Sequence, residues 1–389
     1  MERLLLKGVL HEGRTRNILI EGNRFKDIDA PDEIADAQVL DASGLAILPA
    51  LYNTHTHAAM TLLRGYADDM PLQQWLQDYI WPYEASLTPA DIRRGSDIAV
   101  REMLESGTVF FNDMYFDIEE TIDAVKESGM RAAIGVTVME THSKAMAKEK
   151  KEFVRHWQDP TGGRIRPVMA PHAIYTVGER KLRDCAAFAR ENGMMIHIHL
   201  SETKKEVEDC LREHGTTPAR YLDSIGFLGP DVIAAHCVHV DDEEAGILAE
   251  RGVTVSHCPC SNMKLGSGIF PYELLRKAGC RITLGTDGAS SGNNLDLREA
   301  MKFAALMAKA GGDPVQMPAE EVFRFASLNG AEAFGIDAGI IAAGRLADCL
   351  LIDLSDIRMQ PCHNLVSNFV YSADSRCIKK VICDGKVVL

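Results

Sequence analysis

The chain has 389 residues, 46% hydrophobic and 25% charged, with a formal net charge of −14. That balance excludes disorder and fibrous architecture, and the acidic surplus disfavours a nucleic-acid partner or an anionic membrane surface, leaving a small molecule as the expected ligand. No apolar run approaches the roughly 20 residues needed to span a bilayer, and the opening apolar stretch breaks at Lys7, too short for a signal segment, so a cytoplasmic protein is expected.

At the start, Leu4 to Leu10, Asn17 to Glu21 and Gln38 to Leu40 read as short strands separated by Gly, Asp and Asn turn signals. Eight β-rich runs then alternate with helical patterns: Ala46 to Tyr52, Thr108 to Met114, Arg131 to Val138, Arg166 to Ala170, Met194 to Leu200, Asp231 to Ala235, Thr254 to His257 and Arg281 to Gly285. Their near-continuous hydrophobicity fits parallel strands covered on both faces. One connecting helix is marked at both ends, with Thr88 as cap, Pro89 at the first helical position, Asp91 to complete a capping box and Gly107 as stop. The charge cluster Lys148 to Glu152 is mixed in sign and reads as a solvated helix face.

Eight such units predict a closed (β/α)8 barrel of TIM type over residues 51–339. A doubly wound open sheet is disfavoured because no Gly-x-Gly-x-x-Gly follows a strand. After the barrel, Ala347 to Ile352 is apolar behind a Gly344-Arg345 turn, and Cys377 to Leu389 reads as a hairpin around Asp384-Gly385. Neither chain end can build a core alone, so residues 1–50 and 340–389 are expected to pair into one small β-sandwich domain. The fold class is therefore α/β, a barrel carrying a β domain. All ten cysteines lie from Cys185 onward, several inside apolar runs, and read as reduced thiols outside any disulfide framework.

In a barrel, side chains at the carboxyl ends of the strands meet at one mouth. Here they are histidines and acids. The first strand runs into His55-Thr56-His57, and alternation turns both imidazoles the same way. A lone His-x-His is often only a pair of polar residues at a strand end. The fifth strand adds His199 with Glu202 just beyond it, the sixth ends at His236, and the eighth at Asp287. Together these groups suit one borderline divalent ion, zinc by default with manganese, iron and nickel open, and such an ion lowers the pKa of a bound water towards about 7. His197 is placed behind the ligands, and His239 is expected to point elsewhere. The His257-Cys258-Pro259-Cys260 stretch lacks a second Cys pair and reads as loop packing.

The set His55-x-His57, His199 with Glu202, His236 and Thr286-Asp287-Gly288 resembles the amidohydrolase superfamily over essentially the whole chain. The motifs Asn53 to Ala58, Ala234 to His239 and Ser261 to Gly266 are similar to the branch that deaminates 5′-methylthioadenosine and S-adenosylhomocysteine. Two-metal relatives carry a carboxylated lysine on the fourth strand, whereas Arg164 to Ala173 holds no Lys, which implies one metal. The resemblance implies metal ligation by His55, His57, His199 and Asp287, with His236 beside the activated water. Glu202 is implied as proton shuttle, giving hydrolytic deamination of an adenosine-type nucleoside to its inosine form with release of ammonia. It also implies that Glu84 receives the ribose hydroxyls, and that His172 and Glu202 meet base and sugar. Asp287 also faces the substrate.

Trp75, Tyr79, Trp81 and Tyr83 form an aromatic segment suited to cover a flat ring, although core packing of a helix would explain any one of them. Homocysteine-binding members hold the amino-acid carboxylate with an arginine on the third strand, where this chain has Val136, unless Arg155 reaches in. A neutral 5′ group is therefore expected, as in 5′-methylthioadenosine, 5′-deoxyadenosine or adenosine, ahead of S-adenosylhomocysteine. The alternatives are deamination or dechlorination of another heterocycle (guanine, a pterin, a triazine) and a metal-free scaffold. A homo-oligomer, dimer or tetramer, is expected.

Overall fold

The computed structural model describes residues 2–141, 156–157 and 163–389. Its centre is a nearly closed parallel barrel of eight strands in sequential order: β6 (Leu51–Thr56), β7 (Thr108–Tyr115), β8 (Arg131–Val138), β9 (Ile165–Pro171), β10 (Met195–Leu200), β11 (Val232–His236), β12 (Thr254–His257) and β13 (Arg281–Leu284). Every residue of β6 and β7 is buried, as expected for strands with a packed interior on one side and helices on the other. The helix Pro89–Glu105 begins with the expected capping box between Thr88 and Asp91, and buries Ile92, Val100, Met103 and Leu104.

The barrel closes through side chains between β13 and β6. Thr54 Oγ1 lies 2.8 Å from Thr283 Oγ1 and donates to the Leu284 carbonyl at 3.0 Å. Gly285 permits this approach, because a Cβ there would stand 2.8 Å from His55 Cβ. Parallel registry levels the site-bearing ends: Leu200 lies opposite His236, and His257 opposite Leu284.

The chain ends build a second, mostly antiparallel sheet from β1 (Arg3–His11), β2 (Arg14–Glu21), β3 (Arg24–Asp27), β4 (Gln38–Asp41), β5 (Leu45–Pro49), β14 (Cys349–Asp353), β15 (Ile378–Cys383) and β16 (Lys386–Val387). β5 from one end pairs with β14 from the other, and the sheet wraps its own apolar cluster, including Leu6, Ile18, Phe25 and Leu351. The run Ala46 to Tyr52 is therefore two strands in two sheets, with Ala50 between them. Continuous hydrophobicity could not reveal the change, since both strands are buried.

All ten cysteines are free and seven are buried. Among the described residues no helix is long and apolar enough to cross a membrane. The Lys148 to Glu152 cluster and Arg155 lie outside the described residues.

Candidate active site

The strand ends deliver His55, His57, His199, His236 and Asp287 to one buried point. His57 follows directly on β6, Asp287 lies three residues past β13 and Glu202 two residues past β10. Non-glycine residues take left-handed backbone at three of these ends: Ser201 (φ 49°), His236 (φ 73°) and Asp287 (φ 61°). Such conformations cost of order 1–3 kcal/mol each and persist only where the surroundings hold them.

Each of the three candidate imidazole ligands is oriented by a bond at its far nitrogen. His57 Nδ1 donates to the Met114 carbonyl at 2.6 Å and His199 Nδ1 to the His172 carbonyl at 2.8 Å. His55 Nδ1 lies 2.8 Å from His197 Nε2, so His197 stands behind one of the candidate ligands. These bonds leave three Nε2 atoms facing inward. Asp287 Oδ1 stands 3.3 Å from His55 Nε2 and 3.2 Å from His57 Nε2, and His57 and His199 Nε2 are 3.3 Å apart.

The donor set fits a divalent ion. His55 Nε2 is buried without a hydrogen-bond partner. Donors about 2.0–2.1 Å from a tetrahedral centre are themselves about 3.3 Å apart, which matches the spacings found here. The buried donors form two overlapping clusters, His55–His57–Asp287 and His55–His199–His236, each with its ligand atoms within 4.8 Å. Ser261 and Ser291 donate to Asp287 Oδ2 at 2.6 and 3.0 Å, fixing the carboxylate.

The electrostatics follow from this crowding. Burial opposes charge on His57, but the hydrogen bond and charge of Asp287 prevail and raise it to about 9. Burial lowers His55 to about 4 despite the same acid. Burial would also raise Asp287, yet the two imidazoles hold it well below the usual carboxylate range. Burial raises the Glu202 carboxyl, and burial lowers His172 to about 3.

A cavity opens above this point, walled by Trp75, Trp81, Glu84, His172, Glu202 and His236 among others. Glu202 Oε2 lies 3.9 Å from His236 Nε2, whose Nδ1 donates to Asn262 Oδ1 at 2.7 Å. Loss of water around Glu84 pushes its carboxyl up to about 7, partly offset by Tyr115. Of the aromatic segment, Trp75 and Trp81 face the cavity, while Tyr79 and Tyr83 pack against Tyr66. His239 turns away to the Ser267 carbonyl at 2.6 Å, and His257 stacks on Phe270 at 3.9 Å, so both stay outside the cluster.

Val136 needs correction. Its side chain is fully buried in the core rather than at the cavity, which β8 and its extension line with Thr137 and Met139. Alternation along the strand decides this. No arginine or lysine among the described residues lines the cavity. The sequence reading also missed Glu206, Tyr115, Tyr175 and the roles of Ser261, Asn262 and Ser291. Ser261 and Asn262 sit in a motif that drew notice, and Glu206 completes a Thr203-x-x-Glu pattern at a helix start, a usable signal.

A parallel barrel with this His-x-His and this acid at its mouth is the frame of a metal-dependent hydrolase, and the chain belongs to the amidohydrolase family, whose model matches residues 46–388. It is 45% identical to a 5′-deoxyadenosine deaminase of Methanothermobacter thermautotrophicus, over 100% of this chain and 93% of the relative. It is 46% identical to 5-methylthioadenosine/S-adenosylhomocysteine deaminase 1 of Archaeoglobus fulgidus, over 96% and 89%. Within the family the chain falls in the branch of these deaminases. A zinc-bound adenosine deaminase from Xanthomonas campestris superposes with a TM-score of 0.93 at 33% identity, covering 99% of this chain and 92% of that one. Atrazine chlorohydrolase from Arthrobacter aurescens, 22% identical with a TM-score of 0.89 over 99% and 94%, shares the fold alone.

Proposed function

We propose that the protein hydrolytically deaminates adenosine-type nucleosides bearing a neutral 5′ group, 5′-deoxyadenosine and 5′-methylthioadenosine first and adenosine next. The observation that carries this reading is the convergence of three imidazole Nε2 atoms and Asp287 beneath a cavity that also holds Glu202 and His236. The relatives' substrates support the nucleoside, and the absence of a cation among the described lining residues supports the neutral 5′ group. This replaces Val136 as the reason for that preference.

His55, His57, His199 and Asp287 would hold one divalent ion, with zinc favoured by the nitrogen and oxygen donors and by the zinc-bound relative. Bound there, the ion supplies hydroxide at neutral pH by acidifying a water. Glu202 takes the proton of the attacking water and delivers it to ring N1 as oxygen bonds to C6. His236, whose Nδ1–H is held by Asn262, presents Nε2 as the acceptor for the proton of the hydroxyl forming on that carbon. That hydroxyl's proton then passes to N6 as the C6–N6 bond breaks, so that C6 is left as a carbonyl and the amine leaves as ammonia. Glu84 and His172 bind and orient the sugar and base, while Trp75 covers the ring.

The test follows the ultraviolet change from adenine to hypoxanthine on 5′-deoxyadenosine, 5′-methylthioadenosine, adenosine and S-adenosylhomocysteine, with metal analysis alongside. Turnover of the neutral nucleosides above the homocysteine compound is expected. Metal-loaded protein that leaves all four unchanged would sink the nucleoside assignment.

A further inference from the structure

Beneath the proposed proton shuttle lies a second buried carboxylate that the reaction does not use. Glu206 belongs to the first turn of the helix Lys204–His214, which Thr203 caps by accepting from the Glu206 N–H at 3.2 Å. In an ordinary capping box the acid at this helical position reaches back to the cap residue itself. Here it reaches further. Glu206 Oε1 accepts from the Ser201 N–H at 2.9 Å and Oε2 from the Glu202 N–H at 2.8 Å.

Two successive backbone amides are thus gripped by one carboxylate, at the point where Ser201 turns into left-handed backbone with φ 49°. Both residues and Glu206 are buried, so water offers those N–H groups no substitute. The geometry of this turn sets where the Glu202 side chain leaves the main chain, and hence its place 3.9 Å from His236 and 3.5 Å from Ser267 Oγ.

We propose that Glu206 is a positioning residue for the reaction, holding the Ser201–Glu202 turn so that the Glu202 carboxyl meets the reacting atoms. The inference rests on the assignment of Glu202 as proton shuttle. The carboxylate of Glu206 bonds to the backbone of this turn, so its removal acts on proton transfer more than on binding.

The experiment uses the full chain in its metal-loaded form and the nucleoside it turns over fastest. Glu206→Gln keeps shape and one acceptor oxygen, whereas Glu206→Ala removes both. Expected losses in kcat are about 10-fold and about 100-fold, with KM within about threefold of wild type and metal content per subunit unchanged. In a Glu202→Gln background, followed at high enzyme concentration, Glu206→Gln should add less than about a twofold loss, because the group it positions is already gone. A merely structural role would give the same loss in both backgrounds, and that result overturns the proposal. So does retention of kcat within about twofold, or metal content falling in step with kcat. Should Glu206→Ala fail to fold, Glu206→Gln with its Glu202→Gln cycle decides alone. Absence of wild-type turnover on every nucleoside overturns the functional assignment and this role with it, while an active wild type with unaffected variants overturns this role alone.

Discussion

Asp287 and Glu202 lie at the same barrel mouth and should fail in different ways. Asp287 stands within 3.3 Å of two imidazoles, so Asp287→Ala removes charge from the ion site itself. Metal content and kcat should fall together, the latter by roughly a thousandfold or more. Glu202→Gln should leave metal content intact while kcat drops about 10²–10⁴-fold, the range of a lost acid–base group. Equal activity of Glu202→Gln and wild type would remove the carboxyl from the reaction. Proton competition adds a pH test. In metal-free protein His57 stands at about 9, above its ordinary 6.5. A raised histidine stabilises the fold fully below the ordinary value and loses that contribution as pH rises through the raised one. The Tm of metal-free protein should therefore fall between about pH 6.5 and 9, and metal affinity should rise over the same window as the proton leaves. Calorimetry with and without metal checks both.

At the level of elements, the site depends on how closely β13 can approach β6. Gly285 lies where a Cβ would meet His55 Cβ at 2.8 Å and the His55 carbonyl at 2.9 Å, both parts of a packed strand end with little room to move. Gly285→Ala should displace His55 and lower metal affinity by about 10–100-fold, although residue 285 touches no ligand atom, as competition with a chelator would show. Unchanged affinity would mean that the strand ends can separate freely. Some of this organisation was legible beforehand. The capping signature at Thr88, Pro89 and Asp91 marked its helix because caps are local hydrogen bonds between near neighbours. The run Ala46 to Tyr52 was not divisible, since strand hydrophobicity records burial and carries no label for which sheet does the burying.

Barrel and terminal sheet are joined by an ionic network that is buried at Arg131 and Asp348 and partly exposed at Arg164 and Asp384. Arg131, at the start of β8, pairs with Asp348 and, at 2.6 Å, with Asp384, while Tyr52 donates to Asp348 at 2.6 Å and Arg164 reaches Asp384 at 3.0 Å. These residues join the first and third barrel strands to the C-terminal strands. Breaking such a pair leaves a buried carboxylate uncompensated, so Arg131→Ala should cost about 3–5 kcal/mol in denaturant unfolding. A loss below about 1 kcal/mol would show that the two bodies do not rely on this contact. Arg131 and Tyr52 lie at the opposite ends of their strands from the His–Asp site, so metal content of the folded variant should stay at wild-type level.

Read alone, the sequence determined the eight-strand rhythm, the pairing of the chain ends and the histidines and acids of the mouth, because periodicity, turn chemistry and motif spacing are local. It could not determine which way Val136 faces, that His197 backs His55, or that Glu206 grips the turn carrying Glu202. Val136 and Thr137 are neighbours in sequence, yet one is packed in the core and the other lines the cavity. His55 and His197 are 142 residues apart, yet share a hydrogen bond. Only the closed barrel decides such matters, since strand registry and side-chain direction set which distant groups come within hydrogen-bonding reach.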